Sequence, residues 1–328
     1  MQKRLLSKQI DENEKMIKDA FSNCDDLKIR KIKIGKNRKL TGFICYIEVN
    51  TGNQLIDALG RMLLYLEGLS DEQIEKSIKG NVFALSDAEP YSYLEDAIRG
   101  VLIGDTVLFV DGISVALKMP DQGYPKMSIS KSEEEKVVRG SDESFTESEK
   151  ANTALIRKRI RNTKLKVKEF QVGVRSFTNV AIVYIEGVAE EYLVDEIHRR
   201  LTEYEIDGVL DSGVMEQLAE ESWFSPFPQF QSTRRPDRAA MEALNGKVVV
   251  LVDNSPIALL LPADVNSFMK TTDDYYNRFY MANFARMIRY VAAFFALTLP
   301  GLYLAVTNYH TQILPTPLLL SFSKAREG

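Results

Sequence analysis

The sequence has few of the residues from which catalytic and metal sites are usually built. It contains two histidines, two cysteines and one tryptophan in 328 residues. Structural zinc sites use four ligands, mainly Cys and His, and no Cys-x-x-Cys pair is present. Two cysteines, Cys24 and Cys45, do not make a disulfide framework and favour a reducing compartment. We therefore expect no metal and no disulfide.

Motifs that bind nucleotides or carry out hydrolysis are also absent from the sequence. It has no GxxxxGK[ST], GxGxxG or HExxH pattern, and no pattern that specifies a nucleophile with its base. The formal net charge is −4, which argues against a general nucleic-acid binder. We expect a protein that is not an enzyme, has no cofactor and binds no nucleic acid. A charged content of 27% is typical of a folded globular protein.

One stretch lacks charge altogether. Tyr290–Ser323 contains no Asp, Glu, Lys or Arg. Crossing a bilayer core takes roughly 20 mostly apolar residues, so Tyr290–Tyr309 is predicted to be a first membrane span, kinked at Pro300. Ile313–Ser323 is too short to cross alone and is predicted to begin a second, re-entrant or interfacial element. Residues 290–328 are therefore the start of a membrane domain.

The segment before this span, residues 271–289, combines aromatic residues with arginines, a pattern typical of an amphipathic helix at a membrane interface. The arginines on the near side place the preceding body in the cytoplasm. No secretory signal opens the chain, because the first apolar run ends after Leu6, and this agrees with that orientation. The residues predicted to couple the body to the span are Asp274, Tyr275, Tyr276, Arg286 and Arg289.

The body contains an internal duplication. FICYIEV, Phe43–Val49, recurs as AIVYIEG, Ala181–Gly187. Each copy is followed by two helical patterns, a loop, a further helix and a hairpin, and the hairpins begin at Asp105 and Lys247. Their turns, Asp111-Gly112 and Asp253-Asn254, suit tight reversals.

This duplication predicts an α/β fold of two similar subdomains in tandem, followed by the start of an α-helical membrane domain. The first subdomain covers residues 1–125 and includes an N-terminal amphipathic helix, and the second covers residues 151–270. Helices between the strands are expected to act as crossovers that cover the sheet faces. Residues 126–150 are rich in charge and serine, which predicts a solvated linker or hinge.

Three loops are unusual enough to be candidate sites: Val137–Gly140, Ser225–Gln229 and Thr233–Asp237. The second is rigid and aromatic, and the third concentrates guanidinium groups that could contact an anion or carboxylate. The alternative is structural: each loop fixes the start of the next helix, and each arginine pairs with a local acid. The candidates for ligand or interlobe contacts are Arg139, Arg157, Arg234, Arg235 and Asp237.

Several of these motifs occur together in one order. They are EKVVRG, Asn152 with LIRKRI, the YIEG at Tyr184–Gly187, LDSG, SPFPQ, T-x-RPD, VDNSP, DYY and LPT. From about Glu135 onward this series resembles the A subunit of bacterial spore germinant receptors, the GerA family. Two positions depart from the family pattern: Ser141 stands where Pro usually follows VRG, and Arg234 stands where T-x-RPD commonly has an acidic residue.

The resemblance implies a receptor subunit of the spore inner membrane, with two α/β subdomains on the cytoplasmic, spore-core side. It implies further membrane spans, a transporter-like B subunit, a lipoprotein C subunit, and self-association of A subunits into a nutrient-gated ion channel in contact with membrane lipid. The alternative function is a two-lobed sensor that binds a small-molecule metabolite or nutrient in a cleft between the lobes.

Overall fold

The structure is a computed structural model in which the chain forms two compact units. These are residues 1–136 with 141–263, and residues 137–140 with 264–328. Among the described residues, the first unit holds two β-sheets and the second holds three helices, and each unit is described by itself. The described residues are 3–34, 40–48, 73, 74, 76, 90–119, 140–203, 205–220, 224 and 228–309.

The first subdomain, from residue 3 to residue 119, is built on a five-stranded sheet. In chain order its described elements are α1 (Ile10–Ala20), β1 (Leu27–Ile34), β2 (Leu40–Ile47), β3 (Pro90–Tyr91), α2 (Leu94–Ile103), β4 (Thr106–Val110) and β5 (Ala116–Met119). The strands lie in the order β1-β2-β4-β5-β3, and all neighbours are antiparallel.

The second subdomain, from residue 141 to residue 263, has the same plan. Its elements are α3 (Glu149–Arg159), β6 (Leu165–Val172), β7 (Thr178–Ile185), α4 (Glu191–Glu203), α5 (Ser212–Ala219), β8 (Gln231–Thr233), α6 (Pro236–Leu244), β9 (Val248–Val252) and β10 (Ala258–Leu261). The strand order is β6-β7-β9-β10-β8, again antiparallel throughout.

The predicted fold of two similar α/β subdomains in tandem is confirmed, since the two sheets have the same strand order. The registers agree as well, because Lys28 pairs with Tyr46 in the first sheet and Lys166 pairs with Tyr184 in the second. The helices between the strands do not connect parallel strands, because all the described pairs of neighbouring strands in the two sheets are antiparallel. Of the helical patterns predicted after Val49, only Gln73, Ile74 and Lys76 are described, and they are helical.

The central strands carry long apolar runs because helices cover both faces of the sheet. In β9 every side chain is buried. Val250 lies in one core with Ile197 of α4 and Met215 of α5. Leu251 lies in the core on the opposite face, with Ile156 of α3. Fully burying one such side chain stabilises the fold by roughly 1.5–3 kcal/mol.

The duplication also covers the segment that precedes each first helix. The Asn13 side chain accepts from the N–H of Ser7 at 3.0 Å and donates to its carbonyl at 2.7 Å. The Asn152 side chain accepts from the N–H of Thr146 at 2.7 Å and donates to its carbonyl at 2.6 Å. Residues 141–148, which we call the strap, are therefore the counterpart of the N-terminal segment of the first subdomain.

Residues 141–150 differ from the predicted solvated linker, residues 126–150. Phe145 is 1% exposed, and its N–H donates to the carbonyl of Arg234 at 2.8 Å. The acidic side chain that suggested solvent, Glu143, instead pairs with Lys158 at 2.6 Å and with Arg159. The second subdomain therefore starts at the strap, and residues 126–139 lie outside the described residues.

The second unit consists of α7 (Val265–Met269), α8 (Asp273–Tyr276) and α9 (Phe279–Tyr309). In the described part of the chain, α9 is the one helix long and apolar enough to cross a membrane. Its 31 residues span ~46 Å, which exceeds the ~30 Å of a bilayer core. Helix α9 continues through the predicted boundary between the amphipathic segment and the span, at residues 289 and 290. No Gly or Pro occurs in the helix before Pro300. Ile313–Ser323 lies outside the described residues.

Candidate functional site

The two subdomains meet at the outer edge of β6, where the loop between α1 and β1 hydrogen-bonds to the strand. The N–H of Asp25 donates to the carbonyl of Val167 at 2.9 Å, and the N–H of Glu169 donates to the Asp25 carboxylate at 2.9 Å. Cys24 and Val167 form an isolated parallel bridge. The first subdomain thus supplies the neighbour that an edge strand otherwise lacks.

A buried ion pair lies beside this contact. Arg157 on α3 donates through Nε and Nη2 to the carboxylate of Asp26 at 2.8 and 2.9 Å. The two side chains are 0% and 1% exposed. Burial opposes the charge on Arg157, but the Asp26 carboxylate outweighs this effect and raises the pKa of Arg157. Removing either partner leaves an uncompensated buried charge, which typically costs about 3–5 kcal/mol.

A second set of charges lies around this pair, nearer the solvent. Glu48, after β2, binds Lys150 of α3 at 3.0 Å and Lys28 of β1 at 3.3 Å. Burial opposes ionisation of Glu48, but the two ammonium groups outweigh it and hold its pKa below the usual value. Because Lys150 belongs to the second subdomain, this group also joins the subdomains.

Glu149, in the first turn of α3, is a buried carboxyl without a close cation among its hydrogen-bond partners. Its side chain accepts from the Thr153 hydroxyl at 3.0 Å, and its N–H donates to Asp253 at 3.1 Å. Burial raises the pKa of Glu149 to about 7, and the nearby carboxylates of Glu169 and Asp253 act in the same direction. Glu149 therefore changes charge near neutral pH.

The T-x-RPD motif forms the corner between β8 and α6. The Arg235 guanidinium, 1% exposed, binds both carboxylate oxygens of Asp237 at 3.1 and 2.7 Å and donates to the carbonyl of Ser141 at 2.7 Å. Pro236 occupies the first turn of α6, where its missing N–H costs nothing. These contacts fix the start of α6 and hold the strap.

Of the other described arginines that the sequence predicts, Arg157 lies at the subdomain junction and Arg234 lies in the T-x-RPD corner itself. Arg234 is half-buried, and its carbonyl accepts from the Ser144 hydroxyl at 3.1 Å in addition to the N–H of Phe145. Arg139 lies outside the described residues, as does most of the Ser225–Gln229 loop. Arg157 and Arg235 therefore occupy two separate structural contacts.

In the second unit, Asp274 is the centre of the predicted coupling residues. Its carboxylate accepts from Arg289 at 2.5 and 2.7 Å and lies 3.7 Å from Arg286. The Asp274 side chain is 4% exposed. Arg289 also donates to the Thr271 hydroxyl at 2.9 Å. Helix α8 is thereby attached to the N-terminal third of α9 by charge.

Tyr275 and Tyr276 are both half-buried on α8. Gly140 has a positive φ of 143°, and a Cβ at this position would lie 2.7 Å from Cε2 of Tyr276. Only glycine fits both this backbone conformation and this close approach. Gly140, the last residue of the VRG motif, and Tyr276 of the DYY motif, far apart in sequence, therefore meet in the second unit.

The cavities of the larger unit differ in size and lining. A polar cavity of about 190 Å³ at the subdomain junction is lined by residues that include Lys168, Tyr184 and Glu186. A more apolar one of about 340 Å³ lies between α4, α5 and the end of β10. An open groove of about 950 Å³ lies between α1 and α2. No group of three His, Cys, Asp or Glu side chains suited to a metal occurs in the described ranges.

Sequence reasoning named Arg157 and Arg235 but missed Asp26, Glu48 and Glu149. Nothing local distinguishes these carboxylates from surface acids. The duplication is the one signal that could have pointed to Asp26. The counterpart of Asp26 before β6 is Lys164, so the two subdomains differ in charge at this position.

Comparison with known proteins gives a consistent result. Residues 15–328 match the family model described as Bacillus/Clostridium GerA spore germination protein. The chain is 36% identical to the uncharacterized membrane protein YfkQ of Bacillus subtilis (strain 168), over 99% of this chain and 63% of that protein. It is 31% identical to spore germination protein A1 of the same organism, over 100% of this chain and 67% of that protein.

Spore germination protein KA of Bacillus subtilis (strain 168) is 31% identical over 98% of this chain and 60% of its own length. The chain thus spans 60–67% of these relatives. Among solved structures, the N-terminal domain of the A subunit of the Bacillus megaterium spore germinant receptor GerK3 matches with a TM-score of 0.61 and 29% identity. That match covers 80% of this chain and 98% of the solved chain.

Proposed function

Because this chain belongs to the GerA family of spore germination proteins, we propose that it acts in nutrient-triggered spore germination as the A subunit of a germinant receptor. The observation that carries this proposal is the agreement with the solved N-terminal domain of a germinant receptor A subunit, which includes both sheets. The family match through residue 328 and the similarity to spore germination protein A1 support the same assignment.

The wider assembly is part of the proposal. The subunit acts with a transporter-like B subunit and a lipoprotein C subunit, and copies of it associate into an ion-conducting complex in the spore inner membrane. Helix α9 supports the membrane location. Arg278, Arg286 and Arg289 at its N-terminal side support an orientation with the two subdomains on the cytoplasmic, spore-core side.

Signal transfer is proposed to pass through the Asp274 cluster. A change at the subdomains alters the position of α8, and the bonds from Asp274 to Arg286 and Arg289 transmit that change to α9. Tyr275 and Tyr276 take part because they occupy α8 beside Asp274. Such coupling requires two discrete arrangements of the same contacts, which both ends of the network bias.

The alternative, a sensor with a metabolite in the interlobe cleft, has less support. The described junction is filled by direct contacts, among them Asp26 with Arg157 and Glu48 with Lys150. The cavity of about 190 Å³ beside them is smaller than the roughly 300–1,000 Å³ of common ligand pockets. Calorimetric titration with amino acids, sugars and nucleosides tests this function, and saturable binding of one class would favour it.

The decisive test of the proposed function is deletion of the coding sequence in the spore-forming bacterium that carries it. Spores of the deletion strain are expected to lose their response to at least one nutrient, seen as a failure to lose refractility. The same spores should still respond to an unrelated trigger. Reconstituted complexes with the B and C subunits should conduct ions when the nutrient is added, and unaltered germination on every nutrient would contradict the assignment.

A further inference from the structure

Strand β1 is the outer strand of the first sheet and is rich in positive charge. Its sequence, LKIRKIKI, contains four cations in eight residues. In the part of the chain that the structure describes, β1 pairs with β2 alone, and Arg30, Lys31 and Lys33 are exposed. Among the described residues, no strand pairs with the other side of β1, and cations flank that side.

The backbone groups that face outward can be identified from the register. The carbonyl of Asp26 accepts from the N–H of Glu48, so the backbone of Asp26 faces β2. Backbone groups alternate between the two sides of an antiparallel strand. Those of Lys28 and Arg30 therefore also face β2, while the carbonyl of Ile29 and the N–H of Lys31 face away from the sheet.

The molecule contains a second copy of this edge in an occupied state. By register, Ile29 and Lys31 correspond to Val167 and Glu169 of β6. Those two residues bind the α1–β1 loop: the Val167 carbonyl accepts from the N–H of Asp25, and the N–H of Glu169 donates to the Asp25 carboxylate. An edge with this geometry therefore binds an acidic loop in the same protein.

The cations beside the two edges correspond as well. Because Asn13 corresponds to Asn152, Lys18 on α1 occupies the position of Arg157 on α3, the residue that binds Asp26. Lys18 is exposed, and it pairs with Glu14 at 2.7 Å. Lys31 binds the same carboxylate at 2.9 Å, so one acid holds two ammonium groups beside the edge.

We propose that the outer edge of β1 is a docking site for an extended, acidic segment of a partner protein. The segment lies along the outer edge of β1 and forms one strand-like bridge to it, as the α1–β1 loop does with β6. One backbone N–H of the segment donates to the carbonyl of Ile29, and one of its carboxylates accepts from the N–H of Lys31. A second carboxylate, on the next residue, binds Lys18 as Asp26 binds Arg157.

Charge distinguishes this partner from a second copy of the chain. In a head-to-tail repeat of the contact, the loop before β6 of a second copy would approach β1. The residue of that loop that corresponds to Asp26 is Lys164, which would face Lys18. Lys164 and Lys18 would repel each other. The edge therefore selects an acidic partner rather than the loop before β6 of a second copy.

The cations have one other explanation, because lysines on edge strands also prevent edge-to-edge association. Binding of an acidic strand separates the two explanations. The probe is a fluorescein-labelled peptide that copies Ala20–Leu27 with Cys24→Ser, and the control peptide carries Asn in place of both aspartates. Fluorescence anisotropy with the full-length protein in detergent should show saturable binding of the acidic peptide, and binding at least about tenfold weaker for the control. No binding, or equal binding of the two peptides, overturns the proposal.

The matched protein variants are Lys18→Glu, in the last turn of α1, and Lys8→Glu, two residues before α1, which change the net charge equally. Lys18→Glu should weaken peptide binding about tenfold, whereas Lys8→Glu should change it less than twofold. Sedimentation of Lys18→Glu tests the other occupant: increased self-association would show that a second copy docks at this edge and would overturn the choice of an acidic partner.

Amide exchange tests the strand pairing without any substitution. In the protein alone, the outward N–H of Lys31 should exchange rapidly, while the N–H of Glu169, which donates to Asp25, should be protected. Saturation with the acidic peptide should slow exchange in the segment that contains Lys31. Peptide binding without this protection would mean a diffuse electrostatic contact, and it would rule out docking at the edge of β1.

Discussion

Individual buried charges decide how stable the larger unit is and how that stability depends on pH. Glu149 and Arg157 lie on the same helix, one buried without a bound cation and the other buried against a carboxylate. A buried ion pair stabilises less than its Coulomb energy suggests, because both groups lose their hydration. Neutral substitution should therefore raise the stability at Glu149 above neutral pH and lower it at Arg157.

Glu149→Gln should remove a pH dependence of stability. The pKa of Glu149 is about 7 in the folded protein and 4.5 as the reference value for the unfolded chain. The protonated form thus favours folding, and its contribution is complete below pH 4.5 and is lost as the pH rises through 7. The loss amounts to about 3 kcal/mol at most.

Thermal unfolding between pH 4.5 and 8 measures this effect. The unmodified protein should lose stability across that range more steeply than Glu149→Gln, which should be the more stable of the two at pH 8. Glu147→Gln, an exposed neighbour in the strap, is the control and should follow the unmodified protein. The same slope in Glu149→Gln and the unmodified protein would contradict the assignment.

Arg157→Met should destabilise the larger unit by about 3–5 kcal/mol, because Asp26 is left as a buried, unpaired carboxylate. The double variant Arg157→Met with Asp26→Leu should recover most of this loss, since no charge then remains in the junction. Chemical denaturation of the three proteins measures the difference. If the double variant were as unstable as the single one, the loss would come from packing rather than from unpaired charge.

At the scale of elements, the strap and its counterpart form the same hydrogen bonds in the two subdomains. Asn13 and Asn152 are 2% and 1% exposed, and each makes two bonds to the backbone of one residue. Asn152→Ala and Asn13→Ala should each cost about 1–3 kcal/mol, because the part-buried backbone groups of Thr146 and Ser7 lose these bonds. Thermal unfolding of both variants should give similar losses, and a loss confined to one would show that the two segments are not equivalent.

The strands that can be predicted from the sequence are those that form an apolar run of neighbouring residues. β2, β4, β7 and β9 each contain an apolar run of at least four residues, which indicates a strand buried on both faces. β1 and β6 were missed because lysines interrupt them, as is usual for strands at an edge. β3 and β8 have two and three residues, too few to form a pattern.

The candidate site was less accessible from sequence. Arg157 was singled out, but its partner Asp26 is 131 residues away, and only the folded chain brings them together. The acids of the strap predict a solvated linker, whereas in the fold Glu143 is paired with Lys158 and Arg159. Charge density in a sequence does not reveal whether charges find partners.

In the second unit, Asp274→Asn should loosen α7 and α8 without unfolding α9. The substitution removes the charge that Arg289 and Arg286 bind, and a hydrogen bond to a charged group contributes about 1.5–3 kcal/mol. Hydrogen–deuterium exchange should accelerate in residues 265–276 and stay unchanged in the apolar part of α9. Asp273→Asn, which alters the adjacent carboxyl instead, is the control, and equal acceleration in both variants would contradict a specific role for Asp274.

At the scale of the whole molecule, the contacts at the junction predict that the two sheets unfold as one cooperative body. Their contact includes the Asp26–Arg157 pair, the Glu48–Lys150 pair and the backbone bonds between Asp25 and β6. Separate domains with few shared contacts unfold independently, whereas subdomains that share buried charges unfold together. Two lobes that open around a ligand would be expected to share few contacts and to unfold independently.

Calorimetry of the full-length protein in detergent distinguishes the two cases. The two sheets should unfold in one transition, because opening the junction exposes a buried ion pair and a strand edge at the same time. Arg157→Met should divide this transition into two, because the unpaired Asp26 carboxylate weakens the junction more than it weakens either sheet. Two transitions in the unmodified protein would instead support independent lobes. In that case, a signal that starts in one lobe would need to reach α9 without help from the other.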